Sequence, residues 1–210
     1  MDIEARLKAA FPNWRQLVEN DKLMAKQEFF ARLDLEKSPI LPEGAMLFPD
    51  ITIGGKTAEQ LEELLESMRV DIRPRARSIL RSKDLFTLTE PKKINLIKAS
   101  LSVMGLRRSI EPRHPLVGPK NPTTDEIFER AEELKWDCVP AETVAYVAKV
   151  MKEQLVSSIS IGMIPIVNEH GLPLLFTIGI YNDVIGLDAD LARPHDEWPP
   201  ASLFLFSERK

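Results

Sequence analysis

Three side chains in this sequence have the chemistry of a nucleophilic centre: the single thiol Cys138, the carboxyl of Glu142 and the imidazole of His170. A thiol attacks only when a base, a nearby positive charge or a helix N-terminus turns it into thiolate. Cys138 falls between two predicted helices and is followed by Val139-Pro140. That setting suits a small buried hydrophobe, the usual role of a free cysteine. Glu142 stands at the start of the next predicted helix, where a negative charge complements the helix dipole. A hydrolase or transferase built on Cys138, Glu142 and His170 would have to gather them from distant parts of the chain.

Residues 50–64, DITIGGKTAEQLEEL, pose a second question, because two glycines followed by Lys-Thr suggest a phosphate-binding loop. Such a loop needs G-x-x-x-x-G-K-[ST], so that successive backbone N–H groups wrap the phosphates. Counting back from Gly55-Lys56-Thr57 puts Asp50 where the first glycine belongs, an acid beside the phosphate. A strand-to-helix turn is the better reading, with Thr57 as N-cap and Gln60 completing a capping box. Metal chemistry has no better footing. His114, His170 and His195 are far apart, and none has a second His or Cys at ligand spacing. Asp183, Asp188, Asp190, Asp196 and Glu197 cluster near the C-terminus without calcium-loop spacing and read as solvated turns. The expectation is no cofactor, no metal and no catalytic residue.

Charge is unevenly distributed. The chain as a whole has net charge −4, yet residues 1–68 carry −5, residues 69–120 carry +9 and residues 121–210 carry −8. Arg73, Arg75, Arg77, Arg81, Lys83, Lys92, Lys93, Arg107, Arg108 and Arg113 could neutralise several phosphates of a nucleic acid. Aromatic residues to stack bases are nearly absent, with Phe86 alone inside the stretch. No zinc-finger, RRM or helix-turn-helix pattern accompanies it. The same layout fits internal neutralisation, with the basic middle packed against its acidic flanks. That reading needs no partner and is preferred.

The elements that would position these groups follow from periodicity. Residues 2–11 and 20–35 read as helices, and 1–48 as an N-terminal helical extension ahead of an α+β core unit at 49–210. Ile51–Ile53 make a short strand, then Leu61, Leu64, Leu65 and Met68 the buried stripe of a helix. Pro74 suits the first turn of another helix, burying Ala76, Ile79 and Leu80 while Arg75, Arg77 and Arg81 face water. Residues 93–103 suit strand or helix, and strand is the preferred reading. Residues 105–122 form an exposed basic, proline-rich loop. Thr123 or Thr124 caps a helix, and Pro140 opens one with Val144, Val147, Ala148 and Met151 inside. Beyond 158 the period becomes two, with strands near 159–163, 174–181, 184–187 and 203–206 and a turn at 168–171. Short turns between successive strands imply an antiparallel meander of about four strands over 158–207, under a layer of helices.

One cysteine excludes an intramolecular disulfide. The charged N-terminus is no signal peptide, and no apolar run approaches the ~20 residues of a membrane span. A cytoplasmic protein is expected.

This layout resembles a family of uncharacterised bacterial proteins across about residues 51–207. The resemblance rests on Ile51, Ile53, Gly54 and Lys56; on Gly105-Leu106 closing a hydrophobic run; and on the helix TTDEIFERAEEL. It continues through Cys138, Pro140, Ala141 and Glu142, then Ile161, Met163, Pro165 and Ile166, and ends at Phe204 and Phe206. Asp137 stands where the family has leucine. The resemblance implies one bacterial α+β unit and a strand at 93–103, and carries over no activity and no site. The expected function is a non-catalytic binding or interaction module whose partner is a protein, with nucleic-acid association through residues 73–113 as the first alternative.

Overall fold

Residues 203–208, Leu-Phe-Leu-Phe-Ser-Glu, place apolar side chains at consecutive positions. Since successive side chains of a strand point to opposite faces, both faces of this strand need cover. A computed structural model describes residues 41–85, 87–108, 120–151, 158–181 and 184–209. It places this strand inside the sheet. The helices expected at 2–11 and 20–35 lie outside the described residues.

The strands are β1 (Met46–Ile53), β2 (Asp71–Ile72), β3 (Lys92–Ser100), β4 (Trp136–Asp137), β5 (Ile159–Ile161), β6 (Ile166–Val167), β7 (Pro173–Tyr181), β8 (Val184–Leu191) and β9 (Leu203–Glu208). The helices among the described residues are α1 (Ala58–Ser67), α2 (Pro74–Leu80), α3 (Thr124–Glu133) and α4 (Thr143–Met151). All nine strands join one mixed sheet in the order β1-β3-β9-β5-β7-β8-β2, with β4 also on β9 and β6 also on β7.

The antiparallel meander of about four strands is therefore corrected. The class is α+β, but the sheet has nine strands and mixed direction. β7 and β8 do form the expected hairpin, in register from Leu174↔Leu191 to Tyr181↔Val184. β9 does not follow β8 at the edge. It runs antiparallel to β3 and parallel to β5. Adjacency in sequence misled here because residues 192–202 carry the chain across to the middle of the sheet. Trp198 pins that crossing: its backbone N–H donates to Pro122 and its Nε1 donates to Thr124 Oγ1 at 3.0 Å.

The ambiguous run at 93–103 is a strand over Lys92–Ser100 and turns at Leu101. Its two faces explain the mixed signal. Ile94 and Leu96 point one way and Ile97 and Ala99 the other, and all four are buried. The first strand starts at Met46 rather than Ile51, with a bulge between Phe48 and Ile51 at Pro49-Asp50.

Around β9 the core is aromatic. Phe204 and Phe206 stack with ring centroids 6.1 Å apart. Phe128 of α3 meets Phe206 edge-on, Trp136 tilts against it at 6.0 Å, and Trp198 meets Phe204 edge-on at 5.2 Å. Val144, Val147, Ala148 and Met151 of α4 are buried as the periodicity predicts, with α4 lying against β1 and β7. α2 packs on β8 through buried Ala76, Ile79 and Leu80.

Phe206 touches three other rings or strands of this core and has no exposure. Phe206→Ala should cost about 3–5 kcal/mol, the range for truncating a buried phenylalanine. A urea titration should then show a much lower midpoint with an unchanged slope.

Candidate functional site

The two faces of the sheet are not alike. On the face that carries Phe204, the residue beside it on β5 is Ser160, in parallel register. Thr177 stands next on β7, opposite Ser160. Asp188 stands opposite Thr177 on β8, and Asp190 follows two residues on, on the same face. The aromatic half of the sheet thus gives way to hydroxyls and carboxylates across three adjacent strands.

Of these residues Ser160, Thr177 and Asp190 line an open cleft of about 710 Å³. Thr177 Oγ1 donates to Asp190 Oδ2 at 2.6 Å. Its one proton is spent there, so in the 3.3 Å contact with Ser160 the serine is the donor. Ser160 and Thr177 are each 5% exposed. The chain Ser160→Thr177→Asp190 is therefore fixed in direction, and it presents lone pairs to the cleft. Along the rim, Asp196 is held by Arg193 at 2.8 Å, and that guanidinium keeps its carboxyl below the usual aspartate range. Glu197 accepts from the backbone N–H of Asn121. Arg75, at the start of α2, also lines the cleft and has no partner among the described residues.

Part of the basic stretch is engaged within the chain. Arg73 pairs with Asp188 at 3.4 Å and lies over the Tyr181 ring at 4.4 Å. Arg77 bonds Glu62 and Glu66, and Arg81 bonds Glu62 at 2.9 Å. Hydrogen bonding to Arg81, with the charges of both arginines, lowers the Glu62 pKa despite its partial burial. Lys93 pairs with Asp50, and Arg108 bonds Asn121. Arg75, Lys83, Lys92 and Arg107 make no contact of this kind with other described residues, and Arg113 lies outside them.

The suspected nucleophilic set has separate partners. Cys138 lies at the surface, but crowding around its sulfur and then the charge of Asp137 push the thiol up. That shift disfavours thiolate. His170 is an exposed turn residue beside Glu169. Glu142 is different: it is 1% exposed, and its Oε1 accepts from Leu88 N–H at 2.9 Å. Burial pushes its pKa up, while the backbone amides of Leu88 and Gly54 pull it back. One turn along, Tyr146 donates its hydroxyl to Gly54 C=O at 3.0 Å. Burial, then the Glu142 charge, raises the tyrosine pKa as well.

Glu142 and Tyr146 together clamp the glycine turn that first suggested a phosphate loop. Gly54 has φ +97° and lies so close to Glu90 C=O that a Cβ would come within 2.3 Å. The helix start beyond it is closed by its own side chains, Thr57 and Gln60, in a capping box. The N–H groups of Gly55, Thr57 and Gln60 are taken, by Leu88 C=O, Gln60 Oε1 and Thr57 Oγ1. Among the described residues no group of three His, Cys, Asp or Glu could hold a metal ion, and no helix is long and apolar enough to cross a membrane.

Sequence reasoning singled out Asp190 within an acidic cluster and Arg75 within a basic one, but not their shared cleft. Ser160 and Thr177 were missed. Their only signal is a hydroxyl set between buried apolar neighbours, Ile159 and Ile161 in one strand and Phe176 and Ile178 in the other. Comparison with known proteins adds nothing further: no family model, no curated protein and no solved structure matches the chain.

The raised Glu142 pKa has a consequence for stability. The folded state binds this proton more tightly than the unfolded chain. The stabilisation is complete below the ordinary carboxylate pKa and is lost as pH rises through the folded value. Glu142→Gln keeps an acceptor for Leu88 and cannot ionise. Unfolding measured from mildly acid to neutral pH should show this loss in the parent and a flatter profile in the variant.

Proposed function

We propose that this unit is a non-catalytic binding module that takes its ligand in the cleft on the polar half of the sheet. The observation that supports it most is the fixed wall of Ser160, Thr177 and Asp190. Three side chains on three adjacent strands are held by one another before any ligand arrives. Polar groups on rigid elements bind at little ordering cost. Catalysis has less support, because the cysteine thiol is held up and Ser160 donates to a neutral hydroxyl rather than to a base. Binding of a nucleic acid through residues 73–113 has less support too, since Arg73, Arg77 and Arg81 are engaged by carboxylates.

Backbone amide NMR spectra recorded against amino acids, sugars, nucleosides, short peptides and an oligonucleotide test the reading. At least one small ligand should move the signals of β5, β7, β8 and residues 196–203 saturably. Thr177→Val should weaken that ligand about tenfold, the effect of one hydrogen bond of ~1.4 kcal/mol. The reading fails if no ligand moves these signals. It also fails if only the oligonucleotide binds, with a steep dependence on salt.

A further inference from the structure

The cleft contains an unmade ion pair. β2 and β8 run parallel, with Asp71 beside Gly186 and Ile72 beside Leu187. Continuing that register puts residue 73 beside 188, and Arg73 does pair with Asp188. The next same-face step would put residue 75 beside 190. Pro74 begins α2 at this point, so the chain leaves the strand direction and swings Arg75 away. Arg75 and Asp190 end up lining one cleft with no ion pair between them.

Of the other charges of the cleft, Asp196 is paired with Arg193, and Glu197, exposed at the rim, accepts from the Asn121 amide through one oxygen and keeps its charge. What stays open inside the rim is a guanidinium on one side and, on the other, Asp190 Oδ1 with the lone pairs of Ser160. A guanidinium fork suits a carboxylate. A carboxylate with a hydroxyl that can only accept suits an ammonium group. Arg75 and Asp190 stand one same-face step beyond the paired Arg73 and Asp188, so a ligand that satisfies both carries its two opposite charges close together.

We propose that the cleft binds a free α-amino acid, its carboxylate on Arg75 and its ammonium group on Asp190 and Ser160. This rests on the binding-module reading and specifies its ligand class. Buried Ser160 and Thr177 hold the acceptor end in place, and the first turn of α2 presents the donor end. The remaining volume would take the ligand's side chain.

The test is calorimetric titration of the full chain with the proteinogenic L-amino acids one at a time. Any amino acid that binds is then compared with its N-acetyl derivative, its amide and its dipeptide. Saturable binding should weaken more than tenfold on blocking either charged group, and dipeptides, with their charges further apart, should bind more weakly. Arg75→Gln and Asp190→Asn should each cost more than tenfold. Arg75 is exposed and has no partner among the described residues, so its variant should unfold at the parent's midpoint, which leaves the test intact if the Asp190 variant is destabilised. The proposal is overturned if no amino acid binds at millimolar concentration. Binding indifferent to blocking either group or to Arg75→Gln would overturn it equally. If the cleft signals in the NMR screen respond to a sugar or nucleoside instead, the ligand class is wrong while the binding module stands; if nothing moves them, both fall.

Discussion

Everything in this unit is arranged around a strand that has no solvent-facing side. Phe204, Leu205 and Phe206 are successive residues, each at most 1% exposed. A strand at the margin of a sheet cannot bury three consecutive large side chains so fully. β9 must have neighbours on both edges and cover on both faces. β3 and β5 supply the neighbours, which explains why a strand from the middle of the chain and one from its last third meet across it. Gly162, just after β5, shows how closely they meet. A Cβ there would come within 2.5 Å of the Phe206 ring.

The polar cleft is a consequence of where that aromatic cover stops. Trp198 and Phe128 spread over Phe204 and Phe206, and beyond them the same face has no comparable roof. Ser160, Thr177 and Asp190 occupy the uncovered part, where water reaches the rim and hydroxyls cost little. The crossing at 192–202 thus builds two things at once, a lid for the hydrophobic half and a wall for the cleft. Its acids are tied as well, Asp196 to Arg193 three residues away and Glu197 to the distant Asn121 amide.

Local features were legible in the sequence. The capping box at Thr57-Gln60, a threonine cap at 123 or 124, the proline-led start of α2 and the buried stripe of α4 all depend on residues a few positions apart. The number and order of the strands were not legible, because β9 pairs with β5 across 44 positions of sequence and with β3 across more than 100. Two-sided burial also made β3 look half helical. The cleft was hidden for a related reason. Its charges sit in two segments of opposite net sign, and only the parallel register of β2 on β8 brings Arg75 near Asp190. The Glu142 clamp was half visible: its place ahead of a helix suggested a dipole partner, whereas its carboxylate accepts from the backbone of Leu88, 54 positions earlier.

One feature at the margin bears on how the protein behaves in concentrated solution. β1 pairs only with β3 among the described residues, and it shows Met46 and Leu47 to solvent. A long greasy border of this kind invites another molecule to add a strand. The Pro49-Asp50 bulge breaks that border midway, since proline offers no N–H and the bend spoils the spacing of the remaining donors. The irregularity therefore interrupts, at Pro49-Asp50, the straight and regular pairing that strand addition along this border would require.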